Sequence, residues 1–323
     1  MTIQRRQALL AATAALLPLA SLRAEGAYPS RPIRLVAPFS AGAASDSLIR
    51  RLSEPLAGLL GQPVVVENKP GAQGAIAARI VAKAQPDGYT LMMGGNSSHA
   101  ANVHTLKDPG YDPVADFTPI SLLSINPQVL VVNADLPVRT LQQFIALAKQ
   151  RGGQLNYGVG NAGSLVAAQL LKTQAGFDAV GVNYPGVAQA TTDLLAGRLD
   201  FIMNDPVVAA PFVKVGKLRM LGITSKQRLA AFADIAPIAE LGLPNYEYAS
   251  WSAMFGPVGL PPDIVQKLHQ ALVKVVAQPA QQDFAASAGI IATSSTPAQL
   301  HSFVREQIVL WERWARESGL KPT

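Results

Sequence analysis

The sequence predicts an α/β protein of two hinged lobes, each a mostly parallel β-sheet flanked by helices. Apolar strand patterns alternate with helical patterns in both halves of the chain, which is typical of parallel sheets covered by helices. The 323 residues exceed the size of one typical domain, which is about 100–200 residues. Two extended segments interrupt the alternation and predict two crossings between the lobes.

The first half of the chain contains three strand patterns and two helical ones. The strands are Ile33–Ala37, Val64–Glu67 and Thr90–Gly94, and the helices are Asp46–Leu60 and Gly74–Ala84. Pro55 lies inside the first helical pattern, where proline removes a backbone donor. We therefore expect this helix to be kinked or shortened.

The second half repeats the alternation between an outgoing crossing at Thr118–Val132 and a return crossing at Trp251–Pro257. Between the crossings the helices are Leu141–Gln150, Leu165–Ala175, Gln189–Ala196 and Val207–Val215, and the strands are Leu155–Val159, Val180–Val182, Leu199–Met203 and Met220–Thr224. Two more helices, Pro262–Ala277 and Pro297–Glu317, follow the return crossing.

The last two helices follow the return crossing, so we expect them to pack on the first lobe. Lobe 1 would comprise residues 25–125 and 252–323, and lobe 2 residues 126–251. This discontinuous topology is typical of hinged, Venus-flytrap binding proteins, which hold a ligand in the cleft between two lobes.

The N-terminus has the pattern of an export signal. Arg5 and Arg6 precede an apolar run from Ala8 to Ala20, which is too short to span a membrane. We expect residues 1–24 to be a signal peptide cleaved near Ala20 or Ala24. Export by the Sec or the Tat route would place the mature protein, a soluble monomer, in the periplasm.

Composition and charge exclude several functional classes. The chain has no cysteine, which excludes disulfides, thiolate metal sites and a thiol nucleophile. Its formal net charge of +6 falls to about +3 without the three arginines of residues 1–24, and the remaining basic residues are scattered. Nucleic-acid binding needs a clustered basic stripe. The four histidines lack metal-ligand spacing and no G-x-S-x-G motif is present. We expect neither an enzyme nor a bound cofactor.

The loop after the first strand is the first candidate binding site. Small residues there leave backbone N–H groups accessible at a helix N-terminus, where the helix dipole favours an anion. The candidate ligand-binding residues are Ser40, Ala41, Gly42, Ala43 and Asp46. Asp46 would cap or orient the loop by accepting local N–H bonds.

A second candidate follows the strand Thr90–Gly94, at the carboxyl edge of the same sheet, where ligands of open α/β sheets collect. Asn96, Ser97 and Ser98 are short polar residues suited to a carboxylate oxygen. Ser also favours helix caps, so a structural role remains the alternative. We interpret the adjacent His99 as structural.

The segment Gly158–Gly163 fits G-x-G-x-x-G between a strand and a helix, and Asp178 lies 20 residues after Gly158. This pattern permits a dinucleotide site and hence, as the alternative function, a nucleotide-dependent oxidoreductase. However, Asp178 lies in a turn and the following strand is short. A loop that binds a carboxylate explains the pattern with the same physics. Its predicted binding residues are Gly160, Asn161, Gly163 and Ser164.

Two more strand-to-helix loops belong to the second half. We assign ligand binding to four residues of the first loop and two of the second. These are Tyr184, Gly186, Val187 and Ala188, followed by Asn204 and Asp205. Because a carboxylate at Asp205 would repel a carboxylate ligand, we expect it to point away or to pair with a ligand amine.

Seven segments, in this order, resemble the substrate-binding proteins of tripartite tricarboxylate transporters, the Bug family. They are Pro32–Ala44, Val66–Gly74, Pro86–Leu91, Tyr111–Leu123, Tyr157–Ser164, Tyr184–Asp193 and Gly216–Ser225. The resemblance implies a periplasmic, hinged protein that captures a small carboxylate: a di- or tricarboxylate, an aromatic acid or an amino acid. Membrane transporter subunits or a sensor domain would be its partners. The chain departs from the family pattern at Ala43, usually glycine, and at Asn204-Asp205, often Asp-Asn.

Overall fold

The computed structural model describes residues 28–39, 41, 44–184, 186–317, 319–320 and 322. The predicted signal peptide, residues 1–24, lies outside these described residues. The described residues form two β-sheets, and the chain passes from the first sheet to the second and back.

The first sheet has six strands in the order β11-β4-β10-β3-β1-β2. Their bounds are β1 Ile33–Ala37, β2 Val64–Asn68, β3 Thr90–Gly95, β4 Phe117–Pro127, β10 Ala249–Pro257 and β11 Ile291–Ala292. Parallel pairs join β1 to β2 and β3, whereas β10 pairs antiparallel with β3 and β4, and β11 with β4.

The second sheet has five strands in the order β7-β6-β8-β5-β9. Their bounds are β5 Val129–Asn133, β6 Asn156–Val159, β7 Val180–Asn183, β8 Phe201–Asn204 and β9 Leu218–Ile223. Here β6 pairs parallel with β7 and β8, while β5 pairs antiparallel with β8 and β9.

The α/β fold of two lobes is confirmed, but both sheets are mixed rather than mostly parallel. The reason is that β4, β5 and β10 belong to the crossings, and a segment that leaves or re-enters a sheet runs against its parallel strands. The alternation of strands and helices predicts the parallel pairs and carries no information about the direction of a crossing.

Helices cover both faces of each sheet. The helices are α1 Ala44–Leu60, α2 Ala75–Ala82, α3 Asn102–Thr105, α4 Leu141–Gln150, α5 Ala162–Ala175, α6 Val187–Leu195, α7 Pro206–Lys214, α8 Pro262–Val276, α9 Pro279–Ala288 and α10 Pro297–Glu317. Buried residues of α1 and α8 pack on one face of the first sheet, and those of α6 and α7 on one face of the second. None of these helices, within the described part of the chain, combines the length and apolar character needed to span a bilayer.

The expected shortening at Pro55 is wrong, because α1 continues from Ala44 to Leu60, while the expected kink stays a prediction. Pro55 has no N–H to donate to the carbonyl of Arg51, four residues earlier. That carbonyl instead accepts a hydrogen bond from Gln281 Nε2 of α9, at 3.2 Å. A side chain from the C-terminal part of the chain therefore satisfies the carbonyl that proline leaves unpaired.

The sequence analysis missed α9 and the two-residue strand β11, which lie between the last two predicted helices. Gly289 ends α9 in the left-handed conformation, with φ of 72°. Ile291 then pairs with Ile125 of β4 at the edge of the first sheet. These residues extend the first sheet beside the crossing.

The two crossings are hydrogen-bonded to each other through Thr224, the residue after β9. The Gln128 N–H donates to Thr224 Oγ1 at 2.7 Å, and the Thr224 N–H donates to the Gln128 carbonyl at 2.9 Å. The Tyr248 N–H donates to the Thr224 carbonyl at 3.0 Å. Three chain segments thus meet where the sheets join, which fixes the position of the cleft between them.

Candidate functional site

A cavity of about 300 Å³ lies between the two sheets, beside the crossings. Lobe 1, the crossings and lobe 2 all contribute to its walls. The lining residues are Phe39, Leu48, Met93, Gly94, Gly95, Asn96, Ser97, Ser98, Asn126, Pro127, Asp205, Pro206, Val207, Ser250, Trp251, Ser252, Ala288, Gly289 and Ile290. The cavity is therefore the interlobe cleft that the topology predicts.

The lobe 1 wall contains Asn96, Ser97 and Ser98, directly after β3. Ser98 is held in place, because its Oγ lies 2.9 Å from His99 Nδ1 and its carbonyl accepts a 2.6 Å hydrogen bond from the Tyr111 hydroxyl. The structure thus places three predicted binding residues in one wall of the cleft.

His99 is fully buried and stacks on Phe255, with ring centroids 3.8 Å apart. Burial lowers its pKa to about 3, so the imidazole is neutral at physiological pH. The interpretation of His99 as structural is confirmed, since the ring packs in the core and its Nδ1 fixes Ser98.

Buried polar atoms without a protein partner occur in this wall. Asn96 forms no hydrogen bond of ordinary geometry through Nδ2 or Oδ1. Burial raises the pKa of the Tyr248 hydroxyl, and the nearby Asn96 amide lowers it in part, so this hydroxyl is a polar neighbour of Asn96. Asn126 Oδ1, in the outgoing crossing, also lacks a partner. Buried polar groups are normally hydrogen-bonded. A ligand or ordered water in the cleft would complete the hydrogen bonding of both residues.

The lobe 2 wall begins at the end of β8. Asn204 is fully buried, donates from Nδ2 to Thr191 Oγ1 at 3.1 Å and accepts from the Asp205 N–H at 2.8 Å. Its amide therefore supports the backbone rather than the cleft. Asp205, the next residue, lines the cavity, and burial raises the pKa of its carboxyl.

The remaining walls are mainly apolar. Phe39, Leu48 and Met93 contribute from lobe 1. At the opposite side, the end of α9 touches the start of α7, because a Cβ at Gly289 would come within 2.8 Å of the Pro206 Cβ. The cleft thus has an apolar body with a few polar groups, as small-molecule sites usually do.

The predicted loop after β1 is only partly described. Ser40, Gly42 and Ala43 lie outside the described residues, and Ala41 is exposed. The Asp46 carboxylate is buried and accepts hydrogen bonds from Asn68 Nδ2 at 2.7 Å and Arg50 Nε at 2.9 Å. Asn68 Nδ2 also bonds to the Phe39 carbonyl at 2.9 Å. Asp46 therefore belongs to a network that ties α1 and the residue before the loop to β2.

Gly160, Asn161, Gly163 and Ser164 do not line the cavity. Asn161 caps α5 through a reciprocal capping box with Ser164, whose Oγ also accepts from the Gly160 N–H at 3.1 Å. These side chains accept hydrogen bonds from three backbone N–H groups that the sequence analysis predicted to bind an anion. Their role in ligand binding stays a prediction.

The two loops of lobe 2 contact each other. A Cβ at Gly160 would lie 2.4 Å from the Val187 backbone nitrogen. The Tyr184 hydroxyl donates to Asp193 Oδ2 at 2.8 Å, and Gly186 precedes the first helical residues Val187 and Ala188. None of these four predicted residues lines the cavity.

The sequence analysis missed the cleft residues of the crossings and of the α9–β11 turn. Asn126, Ser250 and Ser252 lie in the crossing strands, which the extended patterns located without indicating which faces point to the cleft. Ser250 Oγ donates to the Asn126 carbonyl at 3.3 Å. These residues could have been found from their position in the crossings, because segments that join two lobes lie beside the cleft.

Two α/β lobes, two hydrogen-bonded crossings and a partly polar cavity between the lobes define a two-lobe solute-binding protein.

The dinucleotide interpretation has little structural support. The side chain of Asp178 is 84% exposed and pairs with Lys172 Nζ at 3.2 Å.

Comparison with known proteins gives the family. A profile described as tripartite tricarboxylate transporter family receptor matches residues 48–320, so the chain belongs to this family. BugT of Bordetella pertussis is 31% identical over 297 residues, which cover 91% of each protein.

The solved structures similar to this chain include one with adipate and one with malate. Rpa4515 of R. palustris with adipate has a TM-score of 0.81 and 32% identity, covering 92% of this chain and 100% of that one. MatC of Rhodopseudomonas palustris with bound malate has a TM-score of 0.75 and 31% identity, covering 89% and 99%. The family resemblance is confirmed, and nothing in these comparisons supports the nucleotide-dependent alternative.

Proposed function

We propose that this protein is a periplasmic receptor that captures a small organic acid in the interlobe cleft and delivers it to the membrane subunits of a transporter. The observation that carries the proposal is the unpaired amide of Asn96, which is buried and lines the cavity. Its Nδ2 can donate to a carboxylate oxygen, and Ser97 and Ser98 add hydroxyl donors. The similarity to proteins with bound adipate and malate supports this ligand class.

The cleft suits capture by closure. We propose that residues 25–125 with 252–323 form one moving body and residues 126–251 the other. Motion about the crossings near Gln128 and Tyr248 would change the distance between Asn96 and Asp205, which lie in facing walls. A ligand that contacts both walls would stabilise the closed arrangement. The signal sequence in residues 1–24 supports export to the periplasm.

Titration calorimetry with adipate and malate tests the proposal. We expect at least one acid to bind to the wild-type protein and Asn96→Ala to weaken it by about tenfold or more, because hydrogen bonds to charged groups contribute about 1.5–3 kcal/mol. Asn183→Ala is the matched control, since Asn183 is exposed at the end of β7. Equal affinity of the wild type and Asn96→Ala for the acid would contradict the role of Asn96 in binding the carboxylate. If neither these acids nor a wider panel of carboxylates binds, the receptor function is refuted.

A further inference from the structure

Asp205 is the one ionisable residue among the described residues that line the cavity. The other polar lining residues are asparagine and serine, which are neutral. Within the described part of the chain, its half-buried side chain makes no cap hydrogen bond and no ion pair, and the Tyr248 hydroxyl is its one ionisable neighbour by electrostatic interaction. A cationic group of a ligand in the cavity would give this carboxylate an ion-pair partner that the described chain does not supply.

The position of Asp205 on α7 strengthens this argument. Asp205 is the N-cap residue of the nine-residue helix Pro206–Lys214, where aspartate usually accepts hydrogen bonds from backbone N–H groups of the first turn. Here the side chain makes no such bond, and the Val208 N–H bonds to the Asp205 carbonyl instead. Asn204 fixes the backbone by accepting from the Asp205 N–H at 2.8 Å. The carboxylate is thus left available to the cleft.

A plain dicarboxylate is poorly matched to this wall. Its second carboxylate would face the Asp205 carboxylate, and like charges at close range repel strongly in a partly desolvated site. An ammonium group in the same place would form a charge-assisted hydrogen bond with Asp205. The ionised form of Asp205 therefore favours a cationic group over a second carboxylate, and an ammonium partner would in turn favour that ionised form.

Building on the proposed carboxylate capture, we propose that the ligand is an amino acid with an apolar body, whose ammonium group pairs with Asp205. Its carboxylate binds the opposite wall at Asn96 and Ser97. The apolar side chains of Phe39, Leu48 and Met93 line the same cavity and contact the hydrocarbon part of the ligand. The carboxylate of such a zwitterion contacts lobe 1 and its ammonium group contacts lobe 2. Binding of the ammonium group therefore favours closure of the two lobes.

Calorimetry with carbon-matched ligands tests this inference. Hexanoate, adipate, 6-aminohexanoate and norleucine share a six-carbon chain and differ in the second polar group and its position. We expect 6-aminohexanoate or norleucine to bind to the wild-type protein at least about tenfold more tightly than hexanoate and adipate, because the ammonium gains a charge-assisted bond. Asp205→Asn should abolish that preference.

Asp283→Asn is the matched control, because Asp283 is exposed on α9 and the substitution makes the same change in net charge. It should retain the wild-type preference. If Asp205→Asn does not fold, the wild-type preference alone decides, because it needs no variant.

The inference is overturned if hexanoate or adipate binds to the wild-type protein as tightly as both amino acids. It is also overturned if folded Asp205→Asn keeps the preference. Those results leave carboxylate capture intact, whereas failure of all four acids, of malate and of the wider panel of carboxylates to bind would refute the proposed function itself.

Discussion

The Asn161 side-chain oxygen accepts a hydrogen bond from the Ser164 N–H at 2.8 Å, and Ser164 Oγ accepts one from the Asn161 N–H at 3.2 Å. This reciprocal arrangement satisfies the first turn of α5 inside the protein itself. A glycine-rich loop at a helix start therefore need not be an anion site.

Removing either partner of this capping box should destabilise the protein. We expect Asn161→Ala and Ser164→Ala each to lower the free energy of unfolding by about 1 kcal/mol. The double variant should lose less than the sum, because the two bonds belong to one unit. Urea denaturation measures all three. If Ser164→Ala keeps its stability but loses affinity for acids, the loop binds ligand as the sequence analysis predicts.

The elements of the fold were predictable because their patterns are local. Strands and helices follow from the spacing of apolar residues. The two crossings follow from extended segments that interrupt the alternation of strands and helices. The continuous helix through Pro55 was not predictable, because its compensating donor, Gln281, lies more than 200 residues away. The antiparallel pairs of β10 likewise depend on contacts between distant parts of the chain.

The site was predictable only where a strand end points to the cleft. Asn96, Ser97, Ser98 and Asp205 line the cavity because β3 and β8 end there. The loops after β6 and β7 also begin where a strand ends, but they contact each other, because Gly160 packs on Val187. Sequence shows which loops share a sheet edge, and the packing decides which of them line this cavity.

The contact between Gly160 and Val187 should make residue 160 intolerant of a side chain. A Cβ there would lie 2.4 Å from the Val187 nitrogen and 2.5 Å from its Cα, and backbone atoms cannot rotate away. We expect Gly160→Ala to lower the free energy of unfolding by about 1–3 kcal/mol, the usual cost of overpacking. Thermal or urea denaturation measures it.

Gly58→Ala is the contrasting control, because a Cβ at this position of α1 would have no neighbouring atom within 4 Å. Alanine in a helix interior should increase stability there by up to about 1 kcal/mol. Equal effects of the two substitutions would show that the β6–α5 and β7–α6 loops do not touch in solution.

Gly163 and Tyr248 should be energetically coupled through their direct contact. A Cβ at Gly163 would come within 2.5 Å of the Tyr248 hydroxyl oxygen, and Tyr248 is buried and cannot swing away. We expect Gly163→Ala to destabilise the protein by about 1–3 kcal/mol alone, and by clearly less in combination with Tyr248→Phe, which removes the clashing oxygen.

Tyr246→Phe provides the control for this cycle. Tyr246 is equally buried but donates to the Ala167 carbonyl at 2.8 Å, so its effect should add to that of Gly163→Ala without coupling. Coupling of the same size with both tyrosines would mean that the hydroxyl of Tyr248 is not the group that Gly163 faces.

His99 should make the protein less stable in mild acid. Burial lowers the pKa of the folded imidazole to about 3, whereas an unfolded histidine has a pKa of about 6.5. The unfolded chain therefore binds a proton that the folded protein excludes, so stability is complete above pH 6.5 and falls as the pH decreases towards 3. The loss approaches about 1.4 kcal/mol for each pH unit below 6.5.

Urea denaturation between pH 7.5 and pH 5 measures this effect. Because burial raises the pKa of the Asp205 carboxyl, which acts on stability in the opposite direction, the difference between wild type and His99 variants isolates the contribution of His99. His99→Phe keeps a ring against Phe255 and should flatten the pH dependence relative to wild type, while His301→Gln, at an exposed site on α10, should leave it unchanged. His99→Gln serves if the phenylalanine variant does not fold. Identical pH profiles for the wild type and both His99 variants would show that His99 is protonated without opening the core around Phe255.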